Sequence, residues 1–314
     1  MGRMVEGVWH SEEVMEMDRR GAWMRPETRF RNWLGEEGFA PEAGRYHLYV
    51  ALNCPWAHRT IVYRKLKRLE DIVSLSFERP RRTDQGWVFD ADDEAYRDAV
   101  LGKRSLHEIY SLADADFSGR VTVPVLWDRQ QGTIVNNESA DIIRMLDSAF
   151  TGLAEATPEL APQALLAEID ALNERTYNSV NNGVYRAGFA TSQAAYDEAF
   201  AEVFATLDWL DERLGERRFL LGDPTNEADW RLFATLVRFD VAYHGTFKCN
   251  LRRLIDYPNL WPYARDLYQT PGIAETVDLE TYKRGYYSLS EQRNPTGIVP
   301  RGPEIDFSIP HGRG

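Results

Sequence analysis

The sequence predicts two domains in one chain, an α/β domain followed by an all-α domain. Three observations predict it. Between Tyr46 and Trp127 the apolar residues fall in short β-rich runs around one helical stretch. From Ala164 onward they recur at helical spacing, and no strand-like alternation of any length appears. A segment with Pro158 and Pro162 lies between the two textures and reads as a linker over 151–163.

Composition bounds the function before any motif is read. A chain of 314 residues with 43% hydrophobic content holds two ordinary domains with ample core. The two cysteines, Cys54 and Cys249, are too few and too far apart for a disulfide framework, which fits a reducing, cytoplasmic setting. No apolar run is long enough to span a bilayer and no signal peptide opens the chain, so neither a membrane nor export is expected. A net charge of -12 argues against general nucleic-acid binding. No metal site is expected. Nine Trp and fifteen Tyr are a heavy aromatic load, most of it for packing, with some residues free to line a flat aromatic site.

In order, Met1 to Ala43 is an arginine- and tryptophan-bearing extension without a clear period, read as irregular chain wrapped over a domain. The α/β domain is placed at 44–150. Tyr46 to Leu52 reads as a strand. Asn53 breaks it, and from Ala57 a helix follows, with Ile61, Val62, Leu66 and Leu69 inward and Arg59, Arg64, Lys65, Lys67 and Arg68 on the wet side. Asp71 to Phe77 is a second strand, which makes a βαβ unit with parallel strands. The stretch 78–119 reads as a long polar loop. Val121 to Trp127 is a strand whose Pro124 marks a start, edge or bend, and a cis Val123-Pro124 bond would present backbone groups to a ligand. A turn and Thr133-Ile134-Val135 make a hairpin, and a helix opens at Asn137-Glu138-Ser139, capped by Asn137 or Ser139. This order of elements is that of a thioredoxin-like domain.

The all-helical domain is placed at 164–281, with helices over Ala164–Tyr177, Gln193–Leu214, Ala228–Tyr243 and Leu260–Leu267. Asn226 and Asp229 form a capping-box-like start. The tail, 282–314, is rich in Gly, Pro and Tyr and reads as mostly irregular.

Cys54 carries the chemistry. It ends a strand and precedes Pro55, which suits the first helical position because it has no N–H to leave unpaired. A thiol at that N-cap faces free backbone N–H groups and the positive end of the helix dipole, and both favour the nucleophilic thiolate. Ala57 stands where a dithiol site would carry its second cysteine. A disulfide formed at Cys54 therefore needs an external thiol to resolve it, and glutathione is the abundant candidate. His58, one turn on, suits packing better than general-base work, and Arg59 suits a solvated face. Glu138 and Ser139 at a helix start could hold an ammonium and a carboxylate together, as a γ-glutamyl group presents them. Tyr177, Tyr185, Tyr243, Tyr286 and Tyr287 each suit packing, but Asn181–Phe189 (N-N-G-V-Y-R-A-G-F) is a polar, glycine-bearing break in helical surroundings and suggests function.

N-C-P-W-A-H-R-T, G-R-V-T-V-P-V-L-W-D, N-E-S-A-D-I-I-R-M, N-N-G-V-Y-R-A-G-F, E-A-D-W-R-L-F and R-F-D-V-A-Y-H-G-T-F-K-C-N, in that order, resemble the glutathionyl-hydroquinone reductases, the Xi class of glutathione transferases. The resemblance runs from about Arg45 to Pro303. It implies the glutathione transferase fold, with a thioredoxin-like glutathione-binding domain and a helical one, and a homodimer. It implies Cys54 as nucleophile, glutathione as co-substrate held by Trp87, Arg120, Val123, Glu138 and Ser139, and a hydroquinone bound by Tyr185 and Tyr286 beside the tail. Around the Tyr-Tyr pair the family carries histidines where this chain has Gly285 and Ser290, which bears on substrate preference. The rival readings are dehydroascorbate reduction or protein deglutathionylation by the same thiol, conventional conjugation, and a non-catalytic binding protein of this fold.

Overall fold

The structure is a computed structural model and describes residues 2–12, 15–36, 38–288 and 293–313. The chain divides into two compact units: Met1–Met15 with Pro26–Pro158, and Glu16–Arg25 with Glu159–Gly314.

The first unit opens with a feature the sequence pattern did not show. Its N-terminus is a hairpin of β1 (Arg3–Val5) and β2 (Val8–His10). Then come β3 (Tyr46–Val50), α1 (Pro55–Leu66), β4 (Ser74–Phe77), α2 (Leu106–Ala113), β5 (Gly119–Arg120), β6 (Val125–Asp128), β7 (Thr133–Asn136) and α3 (Ser139–Ser148). The main sheet has the order β4-β3-β6-β7. β3 runs parallel to β4, with Leu48 beside Leu75, and antiparallel to β6, which pairs antiparallel with β7. All five residues of β3 are buried, as expected of a central strand. α1 packs on α3. This is the thioredoxin-like half of a glutathione transferase fold. The polar stretch 78–119 is not one loop, because α2 lies within it. Its S-L-H-E start is a capping-box signal legible in the sequence: Glu108 accepts from the backbone N–H groups of Arg104 and Ser105, both at 2.9 Å.

One buried histidine between two strands is expected to make this unit acid-sensitive. His47 on β3 is fully buried, and its ring nitrogens meet the hydroxyls of Ser74 (2.7 Å) and Ser76 (3.1 Å) on β4. Burial pushes its pKa down to about 4 from the ordinary 6.5. Below pH 6.5 the unfolded chain takes up a proton that the folded chain refuses until about pH 4. Stability is therefore expected to fall by roughly 3 kcal/mol across that window and not above it. Urea midpoints at pH 7.5 and 4.5 test this. A wild type and a His47→Gln variant that lose the same stability on acidification would refute it.

The second unit is helical: α4 (Leu166–Thr176), α5 (Gly183–Phe189), α6 (Gln193–Glu216), α7 (Glu227–Leu236), the single turn α8 (His244–Thr246), α9 (Leu260–Tyr268) and α10 (Leu279–Tyr287). The capping box is present: Asn226 Oδ1 accepts from the Ala228 N–H at 2.9 Å, and Asp229 Oδ2 accepts from the Asn226 N–H at 2.8 Å. Two π-helical turns, Tyr177–Asn181 and Phe239–Tyr243, interrupt the helical run. The break at Asn181 is thus a wide turn that leads into α5 rather than a loop. Tyr282 to Tyr287, read as irregular tail, completes α10. Beyond it the described residues are irregular but anchored: Phe307 packs on Trp261 with ring centroids 4.8 Å apart, and Arg313 donates to the carbonyls of Leu214, Arg217 and Arg218. Among the described residues, no helix is long and apolar enough to cross a membrane.

Candidate active site

Cys54 is the N-cap of α1, with extended backbone (φ -81°, ψ 120°) and Pro55 opening the helix. Its N–H donates to the Ala51 carbonyl at 3.0 Å and its carbonyl takes the first helical bond, from the His58 N–H at 2.9 Å. The chain thus turns sharply off β3 and leaves the thiol partly exposed at the helix start. The sulfur lies 3.8 Å from the Val123 carbonyl oxygen, within reach for a weak S–H donor. The Val123-Pro124 bond is cis. His58 is fully buried. Arg59 corrects the helical-wheel reading: it is 1% exposed, with its guanidinium 4.6 Å above the Trp56 ring. The first nine residues of α1 are all buried, so this helix has no wet face until Arg64.

The cap of α3 is Glu138, not Asn137 or Ser139. Glu138 Oε1 accepts from the Ala140 N–H at 3.1 Å and from the Ser139 hydroxyl at 3.4 Å, and Oε2 accepts from the Thr28 hydroxyl at 3.4 Å. Ser139 is already inside the helix. Asn137 is drawn away, because its Nδ2 donates to the Tyr110 hydroxyl at 3.0 Å.

Tyr110, on α2, is the residue that sequence reading missed. Its buried hydroxyl donates to the Thr122 carbonyl at 2.8 Å and accepts from the Thr122 N–H at 3.2 Å and from Asn137. One phenol therefore ties the backbone beside Val123 to the residue before Glu138. Tyr110→Phe leaves two buried donors and one carbonyl short of a partner, and is expected to cost about 1–3 kcal/mol of unfolding free energy in urea titration. An unchanged midpoint would mean the hydroxyl is idle.

Trp87 is buried, and among the described residues its indole N–H has no hydrogen-bond partner. Arg120 lies on β5, partly exposed. The structure thus brings the Cys54 sulfur to Val123, and links Val123 through Thr122, Tyr110 and Asn137 to the Glu138-Ser139 helix start.

In the helical unit, Tyr185 on α5 and Tyr286 on α10 bring their hydroxyl oxygens to 2.5 Å of each other. Tyr243, which ends the second π-helical turn, joins them at 3.0 Å from the Tyr286 hydroxyl. The wide turns place these side chains, a use to which π-helical turns are often put. Burial holds the Tyr243 and Tyr286 phenols well above their ordinary range, so they stay neutral donors. Arg238 is fully buried beside them, 3.8 Å over the Tyr282 ring. Gly285 is buried on α10, and Ser290 lies outside the described residues. Cys249 is fully buried, and burial pushes its thiol up to about 12.

A thioredoxin-like unit with a helix-capping cysteine, continued by a helical unit, defines a glutathione transferase. The chain matches the family described as Glutathione S-transferase, N-terminal domain, over residues 53–149, and Glutathione S-transferase, C-terminal domain, over 193–266. It is 48% identical to the glutathionyl-hydroquinone reductase YqjG of Escherichia coli (strain K12), over 100% of this chain and 98% of that one. It is 46% identical to the glutathionyl-hydroquinone reductase PcpF of Sphingobium chlorophenolicum, over 96% of each. Among solved structures, the glutathione-bound structure of YqjG superimposes with a TM-score of 0.91, covering 99% of both chains. The Xi-class glutathione transferase of Natrialba magadii superimposes at 0.93 with 47% identity, covering 100% of this chain and 96% of that one. The chain belongs to the glutathionyl-hydroquinone reductases, the Xi class of glutathione transferases.

Proposed function

We propose that this glutathione-dependent oxidoreductase reduces glutathionyl-hydroquinones to hydroquinones, with Cys54 as the nucleophile. The Cys54 thiolate attacks the sulfur of the conjugate. A Cys54–glutathione disulfide forms, the bond from sulfur to the ring carbon breaks, and that carbon takes a proton as the hydroquinone leaves. The thiolate of a second glutathione attacks the mixed disulfide, releases oxidised glutathione and restores the Cys54 thiolate. The observation that carries this reading is the position of Cys54: a partly exposed thiol at a helix N-cap, with Ala57 in place of a second cysteine.

Trp87, Arg120, Val123, Glu138 and Ser139 hold the glutathionyl group. The indole N–H of Trp87, without a hydrogen-bond partner among the described residues, and the carboxylate and hydroxyl gathered at the start of α3 support this assignment. Tyr185 and Tyr286 hold the hydroquinone oxygens, as their paired hydroxyls suit. The functional unit is a homodimer in the cytoplasm, as is implied for the class.

Measuring glutathionyl-hydroquinone reduction and chlorodinitrobenzene conjugation on one preparation tests the function. Reduction should dominate, because a cysteine forms a disulfide where a Ser or Tyr would only hold the glutathione thiolate. Strong conjugation without reduction would overturn it. Cys249→Ser is expected to leave turnover nearly intact, since a buried thiol raised to about 12 is not a resolving nucleophile. A large loss of turnover would point to a dithiol cycle.

A further inference from the structure

We propose that the N-terminal hairpin Arg3–His10 positions the glutathione-binding groups, with Trp9 as its central positioning residue. The inference rests on the roles proposed above for Trp87 and Arg120. Trp87 follows a tight turn and Arg120 lies on the short strand β5, and the hairpin is bonded to both segments.

Toward Arg120 the contact is a strand ladder. β1 pairs antiparallel with β5, with Arg3 across from Arg120 and Met4 across from Gly119. The hairpin turn is seated on the residues just before: Glu6 N–H donates to the Ser118 hydroxyl at 2.8 Å and Gly7 N–H to the Phe117 carbonyl at 3.0 Å. Gly7 has φ +75°, and a Cβ there would stand 1.9 Å from the Ala115 carbonyl oxygen, so the turn needs glycine for both conformation and clearance. Residues directly opposite in such a ladder point to the same face, so the ladder puts Arg3 and Arg120 side by side.

Toward Trp87 the contact is Trp9. Its indole N–H donates to the Asp84 carbonyl at 2.9 Å, and its ring stacks on His107 at 4.8 Å and 10°. The same ring covers Gly86, whose φ is +74° and whose added Cβ would lie 2.9 Å from it. Thr83 and Gly86 close a tight turn by exchanging two backbone hydrogen bonds, 3.1 and 3.0 Å long. Trp87 is the next residue. The Trp9 ring therefore holds the turn from which Trp87 projects. A loop ordered before the ligand arrives does not lose that freedom on binding, so affinity is the quantity the clamp raises.

The test measures glutathione affinity by calorimetry, KM and kcat for glutathione, and urea midpoints for Trp9→Ala, Trp9→Phe, His107→Ala and Trp87→Ala. Trp9→Ala is expected to weaken glutathione binding and raise KM about tenfold, with kcat at saturation within about twofold of wild type. Trp9→Phe keeps a ring over Gly86 and His107 and should recover most of that loss. His107→Ala removes the stack from the other side and should move KM in the same direction even where Trp9→Ala folds poorly. Trp87→Ala checks the underlying reading. If Trp87→Ala weakens glutathione binding while Trp9→Ala and His107→Ala do not, the hairpin is not a positioning element. If Trp87→Ala binds glutathione like wild type, the assignment of Trp87 fails first and the inference falls with it. A lower kcat and stability at unchanged KM for Trp9→Ala would make the hairpin merely structural and overturn the inference.

Discussion

A Cys54→Ala enzyme is expected to release hydroquinone at least about a thousandfold more slowly while still binding glutathione, because removing a nucleophile removes the covalent route and leaves the binding groups in place. The physical reason lies in the turn between β3 and α1. Pro55 starts the helix, the Cys54 carbonyl takes the first helical bond, and the sulfur is left at the positive end of the dipole. Mass spectrometry of wild type mixed with a glutathionyl-hydroquinone should find one glutathione on Cys54 and none on Cys249. Full turnover with Cys54 unmodified, or appreciable reduction by Cys54→Ala, would sink the mechanism. Cys54→Ser is a useful companion: it keeps the size of the side chain but replaces the sulfur by a far less nucleophilic hydroxyl, and it should be as inactive as alanine.

The second large effect concerns stability. Asp128→Ala is expected to lower the unfolding free energy by about 3–5 kcal/mol, the cost of breaking a buried ion pair from one side and leaving the Arg45 guanidinium only its half-exposed partner Glu42. Arg45 is 7% exposed, and its Nε lies 3.0 Å from both oxygens of the fully buried Asp128, with Nη2 2.5 Å from Oδ2. The same guanidinium donates to the Gly38 carbonyl and to Glu42, and Asp128 accepts from the N–H groups of Gln130 and Gln131. The pair thus joins the start of β3, the end of β6, the segment before β3 and the turn into β7. Urea titration should show a lower midpoint at unchanged slope. A double variant, Arg45→Met with Asp128→Leu, should recover most of the loss, because it removes the stranded charge as well as the attraction. A single variant within about 0.5 kcal/mol of wild type, the range of an ordinary surface change, would show that the ion pair carries no weight.

These two residues divide what was legible from what was not. Cys54 could be read because every element of its setting lies within a few residues of chain: the β-rich run, the break at Asn53, Pro55 and the helical spacing after it. The Asn226–Asp229 box, the cis-compatible Val123-Pro124 and the change from mixed to helical texture were legible for the same reason. Local conformational preference needs only neighbours. The S-L-H-E box that opens α2 was legible too, but the polar surroundings hid it. The wet reading of Arg59 failed because a helical wheel assumes one solvated side, and α1 is covered on every side over its first nine residues.

By itself, then, the sequence determined a strand, a turn and a helix that set Cys54 at a helix N-cap without a second cysteine nearby, and the two textures of the glutathione transferase fold. Tertiary structure alone decided which distant groups share a site. Arg45 and Asp128 are 83 residues apart, and they meet because the antiparallel register of β3 and β6 sets Tyr46 across from Asp128. Tyr185 and Tyr286 are 101 residues apart, and two π-helical turns and a late helix bring them and Tyr243 to one cluster of hydroxyls. Trp9 reaches Asp84 across 75 residues through a hairpin with no periodic signal of its own. Such pairings depend on strand register and on how helices cover one another. Those are properties of the packed chain, and no window of neighbouring residues encodes them.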